Sequence, residues 1–194
     1  VYKRQGRKPD GDWRVDAKDY DPRVWGNDYT ESSGWTFAFT AAHDGNGLAA
    51  LYGGRDALAR KLDQYFATPE TADPKFSGSY RGVIHEMTEE RDVRMGMYAH
   101  SIQTAHHIAW MYLYAGQPWK TQALTREVLS RLYLGSEIGQ GYPGDEDNGE
   151  MSAWYVLASM GLYPLRMGSP DYVIGSPLFK QRALLHILRC RRTT

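Results

Sequence analysis

The densest chemistry in this sequence is the run Gly144-Asp145-Glu146-Asp147-Asn148-Gly149-Glu150, which leads straight into an apolar stretch. Three consecutive carboxylates repel one another, so a chain tolerates them only where something offsets the charge. One reading is helix capping: Asp147 as N-cap, with Glu150 three positions on, has the form of a capping box. That reading leaves Asp145 and Glu146 without a role. The other is a site that holds a cation or a proton, which accounts for the whole cluster. A second acidic position, Glu31, lies in Tyr29-Thr30-Glu31-Ser32-Ser33-Gly34-Trp35, at an expected helix start. There a helix dipole alone would favour it. Its aromatic neighbours and the distant acidic loop also match what glycoside hydrolysis needs. One protonated carboxyl gives a proton to the leaving oxygen, and a second carboxylate activates water on the opposite face. Spacing along the chain does not say whether the two loops meet.

The histidines are the next candidates. His100, His106 and His107 fall within eight positions, with His43 and His85 upstream. His85-Glu86-Met87-Thr88-Glu89 begins like a helical zinc-protease motif, but Glu89 stands where the second His would be. His106 and His107 are adjacent, so on a helix their side chains diverge and do not share a metal. With one cysteine, Cys190, and no paired ligand spacing, zinc is disfavoured. These histidines are expected to bond hydroxyls or buried carboxylates instead.

The elements that must position these groups read as helical. Residues 1–30 are polar and broken by Gly6, Pro9, Gly11, Pro22 and Gly26, an irregular lead-in. Helical texture starts at Glu31 and is expected to end at a His43-Asp44-Gly45-Asn46-Gly47 turn. Arg55 to Ala67 places Leu58, Leu62, Tyr65 and Phe66 on one face, and Thr68 to Tyr80 is a loop. Thr104 to Ala115 is apolar and aromatic, closed by Gly116 and Pro118. Lys120 to Leu134 and Asn148 to Leu162 follow as further helices, the second stopped by Gly161 and Pro164. Strand character is confined to Tyr172–Ile174 and Leu184–Leu188. The expected class is mainly α.

A chain of 194 residues with 42% apolar and 24% charged content suits a globular domain. Basic and acidic residues balance at 23 each, which argues against nucleic acid or an anionic membrane as partner. No apolar run reaches about 18 residues, so no membrane span is expected. Six Trp and fourteen Tyr are an excess that fits a core and also fits sugar stacking. The chain begins at Val1 with neither Met nor a signal-peptide pattern, and is expected to be a piece of a longer protein.

Taken in order, several segments resemble glycoside hydrolase family 92. They are Trp25-Gly26 with Asp28-Tyr29-Thr30-Glu31, His43-Asp44 with Gly47-Leu48, Gly53-Gly54, Gly96 to His100, His106-His107, Tyr114 to Gln122, Pro143 to Tyr155, and Ile174 to Phe179. The resemblance implies a partial (α/α)6 toroid that lacks the family's N-terminal β-sandwich and first helices, with residues 1–179 part of that catalytic domain. It implies calcium dependence and hydrolysis of terminal α-mannosides on glycans, including N-glycans, with inversion. By motif, Glu31 looks like the general acid and Asp145 with Asp147 the acidic pair that supplies the base, Asp147 being the metal-linked member. Trp25, His85, Glu86, His100, Gln103 and His106 fall at substrate-binding positions. The family's setting also implies a secreted or extracytoplasmic location.

This chain departs from the pattern in two places. Ile102 stands where the family usually has Asn, before Gln103, and a branched apolar side chain neither donates nor accepts. After Phe179 the pattern stops, and residues 180–194 form a divergent basic tail with the look of a truncation or frame artefact. The competing readings are a non-catalytic remnant of the fold and a carbohydrate-binding fragment that uses the aromatics.

Overall fold

The computed structural model describes residues 6–133 and 141–180. It is mainly helical, as the periodicity predicts. Helix α1 is a single turn, Gly34–Phe37, so helical structure begins three residues later than expected and leaves Glu31 outside the first turn. His43 to Gly47 is not a terminating turn. It is the start of α2, Gly45–Tyr52, entered through a 3-10 turn at Ala42–Asp44. Asp44 caps α2 by accepting a hydrogen bond from the Gly47 N–H at 2.9 Å, so a turn-like Asp-Gly-Asn-Gly composition serves here as a helix N-terminus. Gly53 closes α2 in the left-handed region at φ 100°, a conformation that glycine adopts without strain.

Helix α3, Arg55–Ala67, matches its expected bounds and buries Leu58, Ala59, Leu62 and Tyr65 on one face. Helix α4, His85–Val93, was not expected as an element. Met87, Glu90 and Val93 recur every third residue and face inward, which turns His85 and Glu89 toward the opposite side, while Glu86 in the first turn also reaches the cleft. The apolar stretch before Gly116 forms 3-10 turns, Gln103–Ala105 and Ile108–Leu113, instead of an α-helix. Helix α5, Pro118–Arg131, opens with proline in its first turn, where the missing N–H is no loss. Leu134, at the end of the expected helix, lies outside the described residues, as do Leu184–Leu188 and residues 181–194 of the tail.

Helix α6, Glu150–Met160, ends at Gly161 with φ 75°. The chain then reverses through two short strands, β1 (Leu162–Tyr163) and β2 (Val173–Ile174), paired antiparallel with Leu162 opposite Ile174. The core runs along the 3-10 segment Ile108–Leu113. Its Trp110, Met111 and Tyr112 are covered by α3 on one side and α5 on the other, and the Tyr163 ring stacks on Trp110 at 5.0 Å and 9°. No helix among the described residues is long and apolar enough to cross a membrane.

Candidate active site

Four segments that are far apart in sequence meet at one small cleft of about 110 Å³. Glu31 comes from the loop before α1, and His85, Glu86 and Glu89 from α4. Ser101, Ile102 and Gln103 come from the approach to the buried 3-10 segment. Asp145 and Asp147 come from the acidic loop before α6. The two acidic loops singled out in the sequence are therefore brought together, along with His85, Glu86 and Gln103.

Glu31 is held with φ 54°, and its backbone N–H donates to the Tyr80 hydroxyl at 2.7 Å. Its loop is pinned by an antiparallel bridge between Trp25 and Ser33 and by the Gly26 N–H donating to the Ser32 carbonyl at 3.0 Å. A non-glycine residue in the left-handed region carries strain, and such strain concentrates at functional sites. Glu31 is exposed. The aromatics beside it in sequence do not enclose it: Tyr29 packs on Phe37 at 5.1 Å, and Trp35 is buried against Tyr65.

The capping reading of the acidic loop is corrected in its particulars. Gly149, not Asp147, is the N-cap of α6. The carboxylate that serves the helix is Glu146, which accepts from the Gly149 N–H at 2.6 Å and the Ser152 N–H at 3.0 Å. A hydrogen bond from the Ser152 side chain foremost, then these two backbone bonds, hold the Glu146 carboxyl below its ordinary range. Glu146 thereby leaves Asp145 and Asp147 to the cleft. Asp147, Asn148 and Gly149 are all left-handed, with φ of 60°, 57° and 95°. The Asp147 carboxylate accepts a hydrogen bond from the Gln103 side-chain amide.

On α4 the His85 ring lies between two carboxylates, with Nδ1 at 3.1 Å from Glu89 and Nε2 at 3.3 Å from Glu86. The hydrogen bond to Glu89 and the charges of Glu86, Glu89 and Asp145 raise its pKa above the ordinary histidine value. The far oxygens Glu86 Oε2 and Glu89 Oε2, together with Ser101 Oγ, are buried and lack a hydrogen-bond partner among the described residues. Buried acceptors without donors are costly, and a hydroxyl-rich ligand supplies the donors they lack. Glu89 and Ser101 were not among the sequence candidates. The i,i+4 spacing of His85 and Glu89 was the available signal for Glu89.

Trp25, His100 and His106 are not brought to the cleft. Trp25 is fully buried, its indole N–H donating to Glu70 at 3.2 Å. His100 is fully buried between the Tyr98 and Tyr133 hydroxyls, each 2.7 Å from a ring nitrogen, and burial holds its pKa well below the ordinary value. His106 donates from Nε2 to the His100 carbonyl at 3.0 Å, while its Nδ1 faces Glu150 at 3.4 Å. Burial lowers its pKa as well. All three residues are part of the buried interior. No aromatic ring lines the cleft among the described residues, so the Trp and Tyr excess resolves mainly into core.

The sequence pattern of the family described as Glycosyl hydrolase family 92 catalytic domain matches residues 3–190. The chain belongs to glycosyl hydrolase family 92. The match continues past Phe179, where the motifs recognised in the sequence end. Among solved structures, the GH92 inverting mannosidase BT2199 from Bacteroides thetaiotaomicron is 44% identical, with a TM-score of 0.67 over 88% of this chain and 22% of that one. The GH92 alpha-mannosidase BT3965 from the same organism is 28% identical, with a TM-score of 0.70 over 89% of this chain and 20% of that one. A structure of BT3965 in complex with mannoimidazole superposes at a TM-score of 0.72, with 29% identity over 89% of this chain and 22% of that one. The chain thus spans about a fifth of the length of these solved relatives. No curated protein matches it.

Proposed function

We propose that this GH92 chain is part of an inverting exo-α-mannosidase that removes terminal non-reducing α-linked mannose from glycans. The observation that carries the reading is the convergence of Glu31 with Asp145 and Asp147 on one cleft, from loops more than a hundred residues apart. Glu31 is the proton donor to the departing oxygen, and its fixed backbone aims the carboxyl from one side. The base comes from the acidic pair. Glu146 is committed to the helix, so Asp145 and Asp147 remain to take the proton from water. The unpartnered oxygens of Glu86 and Ser101 accept sugar hydroxyls. The helices correspond, in this reading, to the later part of an (α/α)6 toroid in a secreted or extracytoplasmic protein.

Calcium is the implied metal, and the donor chemistry of the cleft fits it in kind. Its side-chain donors are oxygens apart from His85, and a hard cation selects oxygen. Asp147 would be its protein anchor. Among the described residues no three His, Cys, Asp or Glu side chains converge to hold a metal, so carbonyls, water and sugar hydroxyls would complete the set. When bound, calcium would hold vicinal sugar hydroxyls and favour ring distortion. Ile102, 4% exposed and lining the cleft, favours a second reading in which the site binds mannosides without cleaving them.

The deciding experiment is mannose release by the intact protein with calcium present, with the anomer followed by NMR. Inverting hydrolysis yields β-mannose first, and selective chelation abolishes release until calcium is restored. Release of α-mannose first, or binding of mannosides without release, overturns the proposal, and the second outcome establishes the binding reading.

A further inference from the structure

His85 has a carboxylate on each ring nitrogen, and a carboxylate only accepts. The two contacts are both attractive only when both nitrogens carry hydrogen. An i,i+4 pair on a helix surface is ordinarily worth little, and His85 itself is 60% exposed. Glu89 differs from a surface partner. Its side chain is only 18% exposed, and its far oxygen Oε2 is buried without a donor in the cleft wall. A Cβ built at Gly144 would come within 2.7 Å of that oxygen and would also overlap the Cβ of Ser101. The carboxylate is thus seated against bare backbone in the acidic loop, one residue before Asp145. The inward side chains of the same helix, Met87, Glu90 and Val93, fix the direction from which it arrives.

We propose that Glu89 is the positioning residue for His85, fixing the ring in the cleft by accepting its Nδ1–H, and that Gly144 lacks a side chain to make room for Ser101 and the Glu89 carboxylate together. The consequence for catalysis rests on the mannosidase reading. The oriented ring sets its Nε2–H against Glu86 and keeps one positive charge among the carboxylates of Glu86, Glu89 and Asp145.

The test is carried out on the intact protein with isotope-labelled histidine, His85 being assigned by loss of its signals in His85→Gln. Glu89→Ala should abolish the Nδ1–H signature of His85 and lower kcat/KM on a mannoside roughly 10- to 100-fold through misplacement of the ring. Glu89→Gln keeps an acceptor oxygen, so it should retain the Nδ1–H and recover most of the rate, while the His85 titration midpoint falls because the charge is gone. Gly144→Ala leaves the His85 and Glu89 side chains in place but crowds both Ser101 and the carboxylate, and should move the His85 signals in the same direction as Glu89→Ala. His85 signals unchanged in both Glu89→Ala and Gly144→Ala overturn the proposal. If the wild type releases no mannose, the mannosidase reading falls while the His85 signals still decide the role of Glu89.

Discussion

Glu31 and the Asp145–Asp147 pair reach the same cleft from opposite kinds of surroundings: a lone carboxylate on a strained loop, and two members of a crowded acidic run. If Glu31 donates the proton, Glu31→Gln should matter in proportion to how much the leaving group needs that proton. A natural disaccharide should lose roughly 10²–10⁴-fold in rate, and an aryl mannoside with a very acidic phenol should lose little. Asn at the base position, 145 or 147, should harm both substrates alike, because water must be activated in each case. Steady-state kinetics on the two substrates check this, and equal losses for Glu31→Gln remove it from the acid role. The residue types were legible in the sequence, but their meeting was not. Spacing carries no information about convergence across a hundred residues, and only the family motifs linked the two loops.

At the scale of elements, α4 shows both how the cleft is mounted and why its helix escaped sequence reading. Its inward positions include an acid, Glu90, 1% exposed, so the apolar stripe that marks an amphipathic helix is interrupted. Burial pushes the Glu90 carboxyl well above its ordinary pKa, and the nearby charge of Glu70 adds to the shift. The sign follows directly. The folded state holds the proton that the unfolded state gives up, so stability from this group is full below the unfolded pKa and declines as pH rises toward the folded one. Glu90→Gln keeps the neutral shape at every pH. It should leave the Tm unchanged near pH 4 and raise it by a few degrees at pH 7, measured by thermal unfolding at the two pH values. By contrast α3 and α5 were legible, because their periodicity is unbroken and Pro118 marks the start of one of them.

For the whole molecule, stability centres on the buried 3-10 segment through Trp110, which supports α3 and α5 and receives Tyr163 from β1. Sequence reading placed an apolar element there but not its tighter winding, since a segment buried all round has no face from which a period can be read. Trp110→Ala should destabilise the fold by roughly 3–5 kcal/mol, measured by denaturant unfolding. The Trp110 indole N–H lacks a hydrogen-bond partner among the described residues. Trp110→Phe should therefore cost much less than Trp110→Ala, because the ring stack is kept and an unpaired donor is removed. Equal losses for the two substitutions would show that the Tyr163 stack contributes little.

The Glu146 cap also bears on how the protein ages. Asn148-Gly149 is the dipeptide most open to succinimide formation, in which the following backbone nitrogen attacks the Asn side-chain carbonyl and ammonia departs. Here that nitrogen, Gly149 N, is tied through its hydrogen to Glu146 at 2.6 Å. Removing the cap by Glu146→Ala should free the nucleophile and speed conversion of Asn148 to aspartate and isoaspartate on storage, followed by peptide mass spectrometry. An unchanged conversion rate would show that the left-handed backbone at Asn148 already blocks the attack without the cap. A faster rate would mean that a carboxylate spent on capping α6 governs the shelf life of the acidic loop beside the cleft.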